Sequence, residues 1–366
     1  MRLKRIAKFT SSVTKGLLPS QQATICQVVC ALTVCRSLCL AEIARCFETE
    51  TAFRHNLKRV FRYADNERIS QQSSKEVVAG RLINQLRHRL EIKPDQYLEI
   101  IIDWTSVNRF QMLSALVPLD GRAVPILQWT VKKWEFRRSQ NTFEEQFIQS
   151  LRRSIPRHLK VIIVADRGFQ RADFLTFVRG LGFSFVIRVK GDAWVEMSGY
   201  SGKLRDYKLS VGQTFKESRV VYHKTKRMQM KIVLNCARIE GKVCSWLLAT
   251  DLGLTAKQIV KIYQRRMWCE ESFRDQKQEF KLEKVRVEEA RRLENLVLAL
   301  AIVLMILAVI GQRGKKLGWA NKFSVPRKKE VEISWVQIAL HLLRKSTEFL
   351  NLLFESKGAG FFFRWA

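Results

Sequence analysis

The chain is 366 residues long and 47% hydrophobic, enough for two or three domains with real cores and too apolar for wholesale disorder. Its 65 lysines and arginines against 34 acids leave a net charge of +31; self-repulsion on that scale calls for a polyanionic partner, nucleic acid first and an anionic membrane surface second. The basic residues run along the whole chain instead of gathering in one tail or helix, which favours a long DNA track.

Residues 1–92 read as helical and basic. Cys26, Cys30, Cys35, Cys39 and Cys46 crowd this region, but none forms a Cys-x-x-Cys pair and only His55 lies near. They are read as small apolar helix residues, reduced and cytoplasmic, in place of zinc ligands. Ala23 to Val34 has the outline of a signal-peptide core, yet Gln27 interrupts it and a long polar leader precedes it, which argues against export. Ser37 to Phe47 and Ala52 to Tyr63 carry apolar residues at helical spacing with a polar break between them. Arg54, Lys58 and Arg62 step by four and so share one helix face. That face fits the second helix of a helix-turn-helix meeting DNA, and equally a solvated basic surface.

At Lys93-Pro94 the pattern changes. Tyr97 to Asp103 is a short apolar run ending on an acid, Phe110 to Pro118 and Ala123 to Val131 are further strands joined by Leu119-Asp-Gly-Arg122, and Gln140 to Arg153 follows a Ser139/Thr142 cap as a helix. Lys160 to Asp166 is a second buried strand ending on an acid, with a short helix (Arg171 to Gly180) and a strand (Phe183 to Val189) after it. Three strands, a helix, a strand, a helix and a strand is the order of an α/β, ribonuclease-H-like core. Residues 190–249 read as a β-rich insertion into that core, which spans 93–311. Helical periodicity resumes at Thr255 and runs past Glu294 into Leu296 to Ile310, an unbroken apolar run shorter than the ~20 residues of a bilayer span and read as a buried core helix. Residues 312–366 form a basic region that is loop-like from Gln312, helical from Ser334 to about Leu352, and closed by an apolar tail containing Phe361 to Phe363 and Trp365.

Asp103 and Asp166 each end an apolar strand, so both stand at the rim of a rigid sheet, where acids on neighbouring strands can share divalent metal ions. Singly, each is also the kind of acid that merely caps a loop. The segment Tyr263 to Lys277 is more specific. On a continuous helix at ~100° per residue, Tyr263, Arg266, Glu270, Arg274, Lys277 and Lys281 make one stripe, a carboxylate set among cations and a phenol. Glu271 lies roughly 80° off that stripe. The stripe could put Glu270 on a metal with Arg266 and Lys277 on phosphates nearby, or could be a surface helix laced with salt bridges.

With these residues the chain resembles the bacterial insertion-sequence DDE transposases of family four, which share a Tyr-(2)-Arg-(3)-Glu-(6)-Lys signature. Tyr263, Arg266, Glu270 and Lys277 reproduce it, with Phe273-Arg274 inside it as in many members. Asp103 in Ile-Ile-Asp-Trp matches the first aspartate and Asp166 in Val-Ala-Asp-Arg-Gly-Phe the second, and the likeness continues to about Ser346. The resemblance implies a homodimeric enzyme that cuts and joins transposon ends through hairpinned DNA. It implies two Mg²⁺ ions, replaceable by Mn²⁺, on Asp103, Asp166 and Glu270. A hairpin requires a base moved out of the stack onto an aromatic side chain; Trp246 and Trp104 are the candidates, each also readable as a core tryptophan. A metal-dependent nuclease or resolvase of the same fold would keep the acids, and a non-catalytic DNA-binding derivative would keep only the charge.

Overall fold

A computed structural model describes residues 2–93, 96–207, 209–239, 242–323 and 333–345. Six helices come first: α1 (Arg2–Thr14), α2 (Pro19–Cys35), α3 (Leu40–Arg45), α4 (Phe53–Ala64), α5 (Glu67–Ser70) and α6 (Gln72–Arg89). The strands β1 (Tyr97–Val107), β2 (Phe110–Leu119) and β3 (Arg122–Lys132) follow, then helix α7 (Lys133–Ser154), strand β4 (Lys160–Ala165), helix α8 (Ala172–Gly180) and strand β5 (Ser184–Arg188). The stretch expected to be β-rich carries β6 (Trp194–Met197), β7 (Tyr200–Lys203), β8 (Thr214–Tyr222), β9 (Met228–Ile239) and β10 (Lys242–Thr250). Helices α9 (Ala256–Gln264), α10 (Trp268–Glu279), α11 (Ala290–Lys316), α12 (Trp319–Phe323) and α13 (Trp335–Lys345) complete the described chain.

All the strands join one sheet in the order β3-β2-β1-β4-β5-β10-β9-β8-β6-β7. β1, β4 and β5 run parallel, whereas β2, β3 and β10 are antiparallel to their neighbours. The β2–β3 turn is tight because Asp120 and Gly121 both take positive φ, 46° and 78°, which matches the twist of the strands it joins. Strand β4 and the Ile100–Ile102 segment of β1 are apolar on both faces, as strands covered by helices on both sides are. Alternation along β1 and β3 defines the layers. Trp104 and Trp129 face α7, where they meet Phe143, whereas Asp103 and Gln128 face α10, touching Cys269 and Gln276. The sheet thus lies between α7 and α8 on one side and α9, α10 and α11 on the other.

Helix α11 is apolar all round and is packed by β3, α2, α4 and α13. Its length and composition would also suit a membrane crossing, but 89% of its apolar window is buried in protein. Its first turns hold the N-terminal helices in place. Asn295 is fully buried and its amide donates to the carbonyls of Tyr63, Ala64 and Asn66 at 3.2, 3.0 and 3.0 Å, while the Tyr63 hydroxyl donates to the Asn295 carbonyl. Arg291 and Arg292 clamp Asp65 beside it, which lowers the pKa of the Asp65 carboxyl. Replacing Asn295 by alanine would strand these carbonyls in the interior, so we expect a loss of about 2–4 kcal/mol in urea unfolding and faster amide exchange in α4. Unchanged exchange in α4 would count against the clamp.

Four expectations are corrected. α7 begins at Lys133, directly after β3, not at Gln140, because Phe136 in its first turn packs edge-on against Trp104. Asp103 is not the end of its strand: β1 continues to Val107, paired with β2. The helix beginning near Thr255 is not continuous past Glu294. A 3₁₀ turn at Arg265–Met267 separates α9 from α10, and α10 stops at Glu279, with Phe280 buried and Lys281 left-handed at φ 54°. The α-helix also runs past Gln312 to Lys316, where a loop was expected. The final helix is described only to Lys345; the remainder to Leu352 and the Phe361–Trp365 tail lie outside the described residues, as does Pro94.

Candidate active site

Parallel pairing of β1 with β4 aligns Ile101 with Val164 and Ile102 with Ala165. Asp103 and Asp166 each follow the last paired residues of this register, close enough for the Asp166 charge to act on Asp103. β4 ends there, and Asp166 turns the chain by accepting a 2.8 Å hydrogen bond from the Gly168 amide at the start of a 3₁₀ turn. Helix α10 brings Glu270 over the same end of the sheet. Asp103, Trp104, Asp166, Arg266, Glu270, Arg274 and Lys277 all line one open cleft.

Arg266 occupies the middle of the cleft. Its Nη2 donates to Asp103 Oδ2 at 2.9 Å and its Nη1 to Glu270 Oε1 at 2.8 Å. Asp103 is otherwise enclosed: Oδ2 also accepts from the Cys269 thiol at 3.2 Å and Oδ1 from the Trp104 amide at 3.0 Å. Burial pushes the Asp103 carboxyl up, against the pull of the Arg266 guanidinium. Burial lowers the Arg266 pKa, but its neighbours together, Asp103 first among them, outweigh it and hold the guanidinium charged. For Cys269 burial dominates and keeps the thiol protonated. The three acids share the cleft without forming a ready-made ligand cluster: among the described residues, no three His, Cys, Asp or Glu side chains stand close enough to hold an ion as they are.

The predicted stripe is divided by the 3₁₀ turn. Tyr263, before it, is buried edge-on against Trp246 with ring centroids 5.3 Å apart, and that burial raises its phenol pKa. Arg274 is exposed and pairs with Glu271, while Lys277 pairs with Glu283 at 2.9 Å on the cleft wall. Lys281 leaves the stripe to meet Glu42. Glu271 faces Arg122 of β3 at 3.2 Å. Trp246 is half-buried. Trp104 forms part of the cleft, its indole N–H held by Glu144 at 3.0 Å. Arg54, Lys58 and Arg62 are all exposed on one face of α4, away from this cleft in the sequence and in its lining.

Two contributors were not anticipated. Cys269 lies three residues after Arg266, a helical neighbour spacing that could have marked it. Glu144, fully buried, accepts from Trp104, from Gln140 at 2.8 Å and from Arg171 at 2.7 Å, and so fixes the Trp104 ring. Nothing in its amphipathic helix distinguishes it from a surface acid.

A comparison with curated proteins finds no match. A family model described as the transposase DDE domain matches residues 94–306, from the first strand of the sheet to the middle of α11. That match covers more than half of the chain and contains every residue named in the cleft, so the chain belongs to the DDE transposase family.

Proposed function

We propose that this protein is a cut-and-paste DNA transposase of insertion-sequence family four, working as a homodimer in the cytoplasm on terminal inverted repeats and target DNA. Its parts are a helical DNA-binding region at 1–92, a ribonuclease-H-like core at 93–311 with an insertion at about 190–249, and a basic C-terminal region at 312–366. The observation that carries the reading is the β1–β4 register, which sets Asp103 beside Asp166 in a cleft that Glu270 also lines. The strand order β3-β2-β1-β4-β5 supports a ribonuclease-H-like core.

The donor set suits hard divalent cations. Four carboxylates line one cleft, of which Glu283 is paired with Lys277, and the nearest soft donor, Cys269, is buried and protonated. Asp103, Asp166 and Glu270 would hold two Mg²⁺ ions, or Mn²⁺ in their place. When bound, such ions supply activation of the attacking oxygen and neutralisation of charge on the leaving oxygen. The chain's own residues do the positioning. Arg274 and Lys277 present cations along the cleft wall for backbone phosphates, and Arg266 offers a fork suited to paired phosphate oxygens. Trp104, held by Glu144 on the α7 face of β1, lines the rim of the cleft next to Asp103 in the strand. The exposed Arg54, Lys58 and Arg62 of α4 would track duplex DNA outside the cleft.

Incubation of the protein with Mg²⁺ and a duplex carrying the element's terminal repeat should give strand cleavage and joining of the cut end to a second duplex. Cleavage without any joined product would instead indicate a nuclease. On denaturing gels the excised end should appear as a species with the length of its two joined strands. Trp246→Ala should reduce that hairpin roughly tenfold or more while leaving the first nick intact, since base–aromatic stacking is worth about 1–3 kcal/mol. Equal loss of nick and hairpin would assign Trp246 to packing against Tyr263 alone.

A further inference from the structure

The position of Arg266 has a consequence for how the cleft is filled. Its guanidinium spans two of the three carboxylates, Asp103 and Glu270, and its side chain is only 13% exposed. Both oxygens of Asp103 are engaged, Oδ2 by Arg266 and by Cys269 together and Oδ1 by the Trp104 amide. A dication competes with the guanidinium for those oxygens, because the two cations would repel each other within a few ångströms in a partly dehydrated site. With the arginine in place, a metal binds more weakly.

We propose that Arg266 is an internal counter-ion that holds the DNA-free protein in a state of low divalent-cation affinity, and that a DNA phosphate draws it away to open the site. The proposal rests on the reading of Asp103, Asp166 and Glu270 as metal-holding acids. The resting pose is not a saturated one. Arg266 Nε is buried and finds no partner, so the guanidinium keeps a donor that the two carboxylates leave unused. A phosphate offers oxygens at the same spacing as a carboxylate and accepts two parallel N–H bonds. Arg274 and Lys277 line the same cleft and would draw a phosphate to it. DNA and metal therefore favour each other's binding through one side chain, and the coupling is reciprocal. A free transposase would be spared from loading metal, and so from cutting, before an end is in place.

A purely structural arginine would behave differently. Its removal would lower the melting temperature, and added Mn²⁺ would not restore it. The test is Mn²⁺ binding to the full-length protein without DNA, read from the electron paramagnetic resonance of free Mn²⁺, with thermal unfolding measured alongside. Arg266→Gln should bind Mn²⁺ roughly tenfold to a hundredfold more tightly than the unaltered protein, the usual range for a coupling of this kind. Added Mn²⁺ should also raise its melting temperature more. Asp103→Asn in the Arg266→Gln background should remove the gain. Arg266→Lys keeps the charge but cannot span both acids, so it should fall between the two and serves if the glutamine variant folds poorly. If Arg266→Gln binds no more tightly while Asp103→Asn weakens binding by the unaltered protein, the counter-ion is overturned and the metal-holding acids stand. If Asp103→Asn changes nothing in either background, the acids do not hold the metal and both readings fall.

Discussion

Asp103→Asn, Asp166→Asn and Glu270→Gln should each lower Mg²⁺-dependent strand cleavage by at least about a thousandfold while leaving duplex binding within a few-fold of the unaltered protein. Stabilising charge on a transferring phosphoryl group through a metal is worth several kcal/mol, and about 4 kcal/mol corresponds to a thousandfold in rate. Binding is set by another quantity, the phosphates neutralised by a chain of net charge +31, and one fewer acid in the cleft cannot weaken it much. The folds should survive. An asparagine at 103 keeps one acceptor oxygen, for Arg266 or for the Trp104 amide but not for both, and its position at the cleft lets water meet the donor left over, while Glu270 is half exposed. Two neighbours on the same helix serve as controls. Glu271 and Asp275 both face Arg122, outside the cleft lining; Glu271→Gln and Asp275→Asn should keep cleavage. Full activity in Glu270→Gln with loss in Glu271→Gln would move the third acid one residue along and sink the assignment. Loss of DNA binding in all three carboxylate variants would show that they act on the fold.

The parts of the site that local pattern can encode were legible in the sequence. Apolar runs ending near Asp103 and Asp166 mark buried parallel strands because both faces of such a strand are covered and few polar residues are tolerated on it. That the two acids are neighbours is a matter of β1–β4 register, which no single run specifies. The helix around Glu270 was legible, but its break was not. Neither the 3₁₀ turn at Arg265–Met267 nor the stop at Phe280 carries a glycine or proline, so helical periodicity reads straight through both. The break separates roles. Tyr263 turns inward to Trp246, while Arg266 reaches the carboxylates. The early start of α7 was hidden for a related reason, because the contact of Phe136 with Trp104 is tertiary and overrides the capping signal at Ser139. Contacts such as Cys269 to Asp103 and Asn295 to Tyr63 join residues more than a hundred positions apart. They exist only once the sheet and α11 are assembled.

Gly311→Ala should be among the most damaging single-methyl substitutions in the described fold, with an expected loss of at least about 3 kcal/mol in chemical unfolding. Two effects oppose each other. Alanine is favoured over glycine inside a helix by about 1 kcal/mol, and Gly311 lies well inside α11. Yet its new Cβ would fall 2.6 Å from the carbonyl carbon of Trp335 and 3.0 Å from the Trp335 Cα. Those are backbone atoms of α13, which cannot rotate aside, so the whole helix must retreat. Retreat also breaks the 2.9 Å hydrogen bond from the Trp335 indole to the Leu119 carbonyl at the end of β2, leaving two buried polar groups unpaired. Overpacking alone costs about 1–3 kcal/mol, and the lost hydrogen bond adds to it. Gly314, one turn on, gives the matched comparison. Its Cβ would meet Leu342 Cδ1 at 2.7 Å, the end of a side chain that can change rotamer, and Ile338 Cγ2 at 2.9 Å, a stiff branch methyl that can give only by a small shift, but no backbone atom, so Gly314→Ala should cost only about 1–2 kcal/mol. Gly180, at the end of α8 with nothing within 4 Å of its Cβ, should be neutral or slightly stabilised by alanine. The order of the three midpoints is the test. A Gly311→Ala protein no less stable than Gly314→Ala would mean that α13 does not pack its backbone against α11.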